Sequence, residues 1–302
     1  MDKIKVLKEF EKSLVSHNPE NSGIKPEIIG YGEISIIFKI PGLEGFALKR
    51  LPLFNAKEEA LDYEEKYKKY CNFLKEAGIK LPDDETFIVD IGRIPVSLYI
   101  AQKELPSNSI GNKIISDMKK EAIKEFFERI VFEVKKVWDF NKKNKEKIEL
   151  SIDGQLSNWV LVGNDIYFID TSTPLFRLNG VEQMDPEPLL KSAPGFLRWI
   201  LKLFFLDDVM NRYYDERLVY MDFAANLYKE KREDLISMTI EIINSNLSEN
   251  LEKITRKDVD KYYKEDKLIW TLFLSFRKLD RFLKTKVFRK RYEFILPGKI
   301  ER

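Results

Sequence analysis

A chain of 302 residues with 44% hydrophobic content is long enough for two modest lobes or one large domain, and it can bury an ample core. Charged residues make up 34% with a net charge of only +2, which points to neither a nucleic-acid-coating protein nor a disordered acidic tail. The single cysteine, Cys71, excludes an internal disulfide, and one histidine, His17, leaves no cluster that could hold structural zinc, so a reducing cytoplasm is the expected compartment.

The opening segment MDKIKVLKEFEKSL carries its charges at helical spacing and lacks the apolar core of a signal peptide. Five β-rich runs follow up to about residue 105: EIIGY, ISIIFKI, GFALKRL, TFIVDIG and VSLYIAQ, with PGLEG as the tight turn between the second and third. One helix, Asn55 to Ala77, interrupts them. Its apolar stripe runs Ala60, Tyr63, Tyr67, Tyr70, Cys71 and Leu74, and Glu64 falls inside that stripe. Beyond residue 105 the pattern is mostly helical: KKEAIKEFFERIVFEVKKVWDF, then a hairpin, then amphipathic segments to the end. The expected class is therefore α+β, a small antiparallel sheet lobe over residues 1–102 with one main helix, followed by a larger helical lobe over 103–302. The apolar run APGFLRWILKLFFL, residues 193–206, carries Arg198 and Lys202; it is too short and too charged to span a bilayer and is expected to form a buried helix.

Several polar residues stand out against this pattern. In GYGEISII, Gly30 and Gly32 lie between two predicted strands, where the missing Cβ lets backbone approach a ligand; the same pattern also serves as a plain turn. Lys49, in FALK, sits in an otherwise apolar strand, from which it can snorkel outward or point inward to a phosphate. A carboxylate on a buried helix face needs a partner, and Lys49 is the natural one for Glu64. Lys103 and Leu105, where the last strand of the sheet ends, expose backbone groups that an adenine edge could use, or they belong to an ordinary loop. Finally, SIDGQLSNWVLVGNDIYFID places Asp153, Asn158 and Asp170 at both ends of one hairpin, where three oxygen-bearing side chains can converge on a metal and a reacting hydroxyl.

Read together, these residues resemble the protein-kinase-like superfamily, and within it the aminoglycoside and choline phosphotransferases, over most of the chain to about residue 175. In that family a glycine loop covers the ATP phosphates, a strand lysine pairs with a helix glutamate, and a catalytic Asp is followed five residues later by a metal-binding Asn. Asp153 and Asn158 have that spacing, and Asp170 stands where the family's D-F-G motif opens. The resemblance implies a two-lobed fold and an ATP- and magnesium-dependent transfer to a small-molecule hydroxyl. It implies Asp153 as the base or orienting group, Asn158 and Asp170 as magnesium ligands, and Lys49 on the α and β phosphates, steadied by Glu64. Backbone at Gly30, Gly32, Lys103 and Leu105 would hold the nucleotide.

The departures bear on activity. Ser151 replaces the family's histidine two residues before the catalytic Asp, Gln155 stands where serine/threonine protein kinases carry a lysine, and Thr-Ser-Thr follows Asp170. No A-P-E sequence or long activation segment follows, which favours a small-molecule acceptor. A pseudokinase kept for scaffolding and a compact atypical protein kinase are the alternatives. Toward the C-terminus, residues 276–294 hold eight basic residues interleaved with aromatics, a solvated helix face or a surface for an anionic ligand, lipid headgroup or RNA at 277–291. Asp185 and Glu187, in MDPEPLL, would instead face a cationic acceptor.

Overall fold

β1 (Glu27–Tyr31), β2 (Ile36–Lys39), β3 (Phe46–Phe54), β4 (Asp84–Val89) and β5 (Val96–Lys103) form one sheet in the order β1-β2-β3-β5-β4, with every neighbouring pair antiparallel. The structure, a computed structural model, describes residues 2–16, 18–32, 35–145, 147–184, 190, 207–289 and 291–295. Helix α2 (Lys57–Glu76) is inserted between β3 and β4, and β5 then returns to pair with β3, leaving β4 at the edge.

The two central strands are buried on both faces, which accounts for their nearly continuous apolar sequences. Helix α1 (Lys3–Ser13) covers one face, where Leu7 and Phe10 meet Phe38, Leu48 and Tyr99. Helix α2 covers the other, where Ala60, Tyr63 and Tyr67 meet Leu51, Leu98 and Ile100. Because successive side chains of a strand point to opposite faces, the neighbours Lys49 and Arg50 of β3 are sent to opposite sides of the sheet. The buried residues of α2 are Ala60, Tyr63, Tyr67, Tyr70, Cys71 and Leu74, the stripe expected from the sequence.

The remaining core is built around helix α4 (Lys120–Lys143), whose Phe127, Ile130, Val134 and Val137 are buried against α2, the hairpin and later helices. Short helix α3 (Gly111–Ile114) precedes it. Three short strands, β6 (Ile148–Leu150), β9 (Phe176–Leu178) and β10 (Val181–Glu182), form a small antiparallel sheet, and β7 (Trp159–Val162) pairs with β8 (Asp165–Phe168) as a hairpin. Trp159 and Phe168, both fully buried, pin the base of that hairpin with ring centroids 5.2 Å apart. Helices α5 (Asp207–Tyr213), α6 (Glu216–Lys229), α7 (Ile236–Asn244) and α8 (Arg256–Phe282) follow, and α8 continues as one π turn, Leu283–Val287. The chain is thus α+β, with an antiparallel sheet and multiple helices.

Helix α8 starts at a capping box, Thr255 with Asp258, and leans on α6. Its continuation returns to the first sheet: Tyr292 and Phe294 enter the cluster formed by β3, β5 and α2, so the chain's last described residues lie with its first hundred. No helix among the described residues is long and apolar enough to cross a membrane. The run 193–206, Asp185 and Glu187 lie outside the described residues.

Candidate functional site

The hairpin β7–β8 ends at Ile169 and Asp170, and there it meets β3. Lys49 Nζ donates to the Ile169 carbonyl at 2.7 Å and to Asp170 Oδ1 at 3.1 Å, contacts between residues 120 and 121 positions apart. The Lys49 side chain is only 5% exposed, whereas Asp170 is 35% exposed, so the pair is anchored on one side and open on the other. Ser172 Oγ donates to the same Asp170 oxygen at 3.0 Å. Among the described residues Asp170 Oδ2 accepts no hydrogen bond.

Asn158 ends the single 3-10 turn Leu156–Asn158 that leads into β7. Its carbonyl accepts the Ile169 N–H at 2.9 Å, which sets it beside Asp170, and its Nδ2 donates to the Asp153 carbonyl at 3.1 Å. That bond leaves the amide oxygen of Asn158 turned away from Asp153. Asp153 itself accepts the Gln155 N–H at 3.0 Å, a side-chain turn that fixes its carboxylate at the loop's bend. Lys49, Asp153, Asn158 and Asp170 are therefore joined by one unbroken set of contacts.

The loop bearing Asp153 is held from several sides. Ser151 N–H donates to the Leu175 carbonyl at 2.9 Å, the Ser151 hydroxyl donates to the Tyr213 carbonyl, and Tyr70 donates its phenolic proton to the Ser151 carbonyl at 2.9 Å. Tyr70 and the backbone carbonyl of Tyr213 thus hold Ser151 from two sides. Leu156 N–H donates to Asn226 Oδ1 of α6 at 3.2 Å, and the Trp159 indole to the Gly154 carbonyl at 3.3 Å.

Glu64 is not the partner of Lys49. It accepts from the Thr86 hydroxyl of β4 and pairs with Lys68 at 3.0 Å. One helical residue is a turn of about 100°, and α2 presents its tyrosines toward Asp170, which directs Glu64 toward β4. The Lys103 N–H is also not a donor for a ligand, since the Asp83 carbonyl takes it at 2.7 Å; the Glu104 N–H goes to Gly45 at 2.8 Å. At this turn the Leu105 N–H has no partner among the described residues.

The glycines have a local explanation. A Cβ on Gly32 would lie 2.5 Å from Ser35 Oγ, and one on Gly30 would lie 3.0 Å from Ile37 Cδ1, so a larger residue at either position would have to displace those side chains. Glu33 and Ile34, between the strands, lie outside the described residues.

Beside Asp153 opens a small cleft of about 40 Å³ lined by Asp153, Gln155, Asp222, Tyr262, Asp266 and Trp270. Asp222 comes from α6 and Asp266 from α8, where it pairs with Lys229 at 3.2 Å. Enclosure raises the Asp222 carboxyl above its usual range, and Lys229 pulls it partly back. Sequence reading did not select these residues, although a carboxylate inside the apolar run VYMDFAANL carries the same signal that singled out Glu64.

Much of the basic 277–291 segment is used internally. Arg277 is buried near the rings of Phe273 and Phe294, Lys284 pairs with Asp280 at 2.7 Å, and Arg291 with Glu293 at 2.8 Å. Lys278, Lys286 and Arg289 are exposed, and Lys290 lies outside the described residues.

The donor set near Asp170 suits a hard cation. Among the described residues no three His, Cys, Asp or Glu side chains cluster as a cage. One carboxylate oxygen and one amide oxygen are what magnesium takes from a protein when water and phosphate complete its shell. A search among curated proteins finds no match for the chain. A family model described as a family of unknown function, DUF6206, matches residues 12–281, and the chain belongs to that family.

Proposed function

We propose that the protein is a phosphotransferase with a two-lobed, protein-kinase-like fold that moves the γ-phosphate of ATP to a hydroxyl of a small molecule. The observation that carries this reading is the meeting of Lys49 of β3 with Asp170, 121 positions away, at the end of the hairpin whose other end holds Asn158 and Asp153. The sheet order, with α2 inserted between β3 and β4, supports it further.

Each residue has a role that follows from its chemistry. Lys49, held in a nearly dry setting, offers a fixed positive charge to the α and β phosphates. The Asn158 amide oxygen and Asp170 Oδ2 would hold magnesium, which neutralises charge on the transferred group. Asp153 orients the acceptor hydroxyl and takes its proton as the new P–O bond forms and the bond to the β-phosphate oxygen breaks, leaving ADP. The acceptor would have to enter and widen the small cleft that Asp153 lines. One observation favours a second reading, a kinase-like protein retained for binding: Lys49 is already engaged by the carboxylate that would take the metal.

Calorimetric titration of ATP with and without magnesium, on wild type and Asp170→Ala, tests the proposal. Metal-dependent binding that is lost in the variant is the expected result, followed by turnover with a hydroxyl acceptor. Absence of binding in wild type, or equal binding in the variant, overturns the site. Metal-dependent binding with no turnover across a broad panel of hydroxyl acceptors favours the second reading.

A further inference from the structure

With Glu64 turned away, something else must connect α2 to the segment that carries Asp170. Three buried polar groups meet there. Gln102 Nε2 of β5 donates to Thr171 Oγ1 at 3.0 Å, Thr171 Oγ1 donates to the Tyr67 hydroxyl of α2 at 3.3 Å, and Tyr67 donates to Asp84 Oδ2 of β4 at 2.8 Å. Gln102, Thr171 and Tyr67 are 4%, 1% and 1% exposed, so water cannot substitute for the two links among them. One turn earlier on the same helix face, Tyr63 donates to the Ser172 carbonyl at 2.7 Å, and the Ser172 hydroxyl reaches back to Asp170. The two residues that follow Asp170 are thus each held by a tyrosine of α2.

We propose that this relay, Gln102 to Thr171 to Tyr67 to Asp84, is the positioning device that sets the Asp170 carboxylate relative to α2, in the place of a Lys49–Glu64 ion pair. Every hydroxyl in the chain accepts once and donates once, and the chain ends on a carboxylate, so each bond polarises the next and the terminal one is charge-assisted. Burial, together with Asp84, pushes the Tyr67 phenol well above its ordinary range, which keeps it a donor at any working pH. Thr171 is bonded covalently to Asp170, so the rotation of that peptide, and with it the direction of the metal-binding oxygen, is fixed by what Thr171 is allowed to contact. Tyr67 and Thr171 are positioning residues, because neither touches a reacting atom.

The inference rests on the phosphotransferase reading, and the test separates the two. The magnesium dependence of ATP binding is measured by calorimetry on wild type, Thr171→Val, Thr171→Ser and Tyr67→Phe, with a thermal melt of each free protein. Valine preserves the shape of threonine and removes the hydroxyl; serine preserves the hydroxyl. Loss of an outer partner of a metal ligand weakens metal affinity by about 10–100-fold. Thr171→Val and Tyr67→Phe are expected to show that loss, with Thr171→Ser within about twofold of wild type. Unchanged magnesium dependence in Thr171→Val overturns the relay while leaving the nucleotide site standing. Equal losses in the serine and valine variants, with lowered melting temperatures, also overturn it, because packing alone would then explain the effect. If wild type itself binds no magnesium–ATP, both readings fall together. Should Tyr67→Phe fail to fold, the Thr171 pair decides alone.

Discussion

Lys49 and Arg50 are adjacent on one strand, carry the same charge and are both buried, yet they end in opposite kinds of environment. On the α1 side, Arg50 makes a bidentate pair with Glu11, at 2.9 and 2.5 Å, and donates to the Glu293 carbonyl at 3.1 Å. Tyr99 and Ser97 complete the Glu11 carboxylate at 2.5 and 3.3 Å. Arg50 and Glu11 are closed off from solvent, and the Glu11 carboxylate is taken up by protein donors. On the α2 side, Lys49 is bonded to a carboxylate that is one-third exposed. A closed polar cluster holds a fold together; a buried charge with an open partner can be given to a ligand. Alternation along the strand made this division, and the elements laid over each face determined which cation received which task.

The comparison is broken most severely from the open side. Under the phosphotransferase proposal, Asp153→Asn is expected to lower phosphoryl transfer by about 10³-fold, the middle of the range for loss of a proton-accepting group, while ATP affinity and the thermal melt stay at wild-type values. A steady-state assay beside a binding titration checks this, and full activity in the variant would remove Asp153 from the mechanism.

From the closed side the effect falls on stability. Burial by itself would raise the Glu11 carboxyl, but Arg50 and the hydrogen bonds from Arg50 and Tyr99 outweigh it and bring the group from its ordinary 4.5 down to about 2. A depressed folded-state value means that the cluster's contribution is fully present above about pH 4.5 and is lost as pH falls toward 2. The shift corresponds to about 3 kcal/mol. Denaturant melts from pH 7 to pH 2 should show that loss. In Glu11→Ala, which strands the Arg50 charge, stability should fall by about 3–5 kcal/mol at neutral pH. A variant as stable as wild type would show that the cluster does not hold the N-terminal helix to the sheet.

The smallest effect sharpens the comparison. Glu64 pairs with Lys68, which is 58% exposed, and with Thr86, so its charge serves neither face of the sheet. Transfer by Glu64→Gln is expected to stay within about threefold of wild type, since exposed pairs contribute little. A loss of a hundredfold or more would restore Glu64 to the site and place the helix differently during the reaction.

Much of this was written locally. The five strands, the inserted helix with its six-residue apolar stripe, and the hairpin following Asp153 are set by period-2 and period-3.6 patterns that a short window contains. Lys49 stood out as a lysine inside an otherwise apolar strand, and Asp153, Asn158 and Asp170 by their steps around one hairpin. Glu64 was misassigned because a stripe as wide as that of α2 spans more than 100° of helix, so the sequence could not tell which edge of it turns to β3 and which to β4. The Glu11–Arg50–Glu293 cluster and the Gln102–Thr171–Tyr67–Asp84 relay were not legible at all. Their members lie 17 to 243 residues apart, and nothing local marks them as partners.

By itself, then, the amino-acid sequence determined which segments are strands and helices, which of their faces are apolar, and which polar residues interrupt a strand or bracket the hairpin. The tertiary structure alone decided that α2 offers tyrosines to Thr171 and Ser172, that α6 and α8 line the cleft beside Asp153, and that Tyr292 and Phe294 return to the first sheet. The reason is physical: backbone periodicity acts over a few residues and fixes a face, whereas the partner of a buried polar group is settled by which distant surface is packed against it.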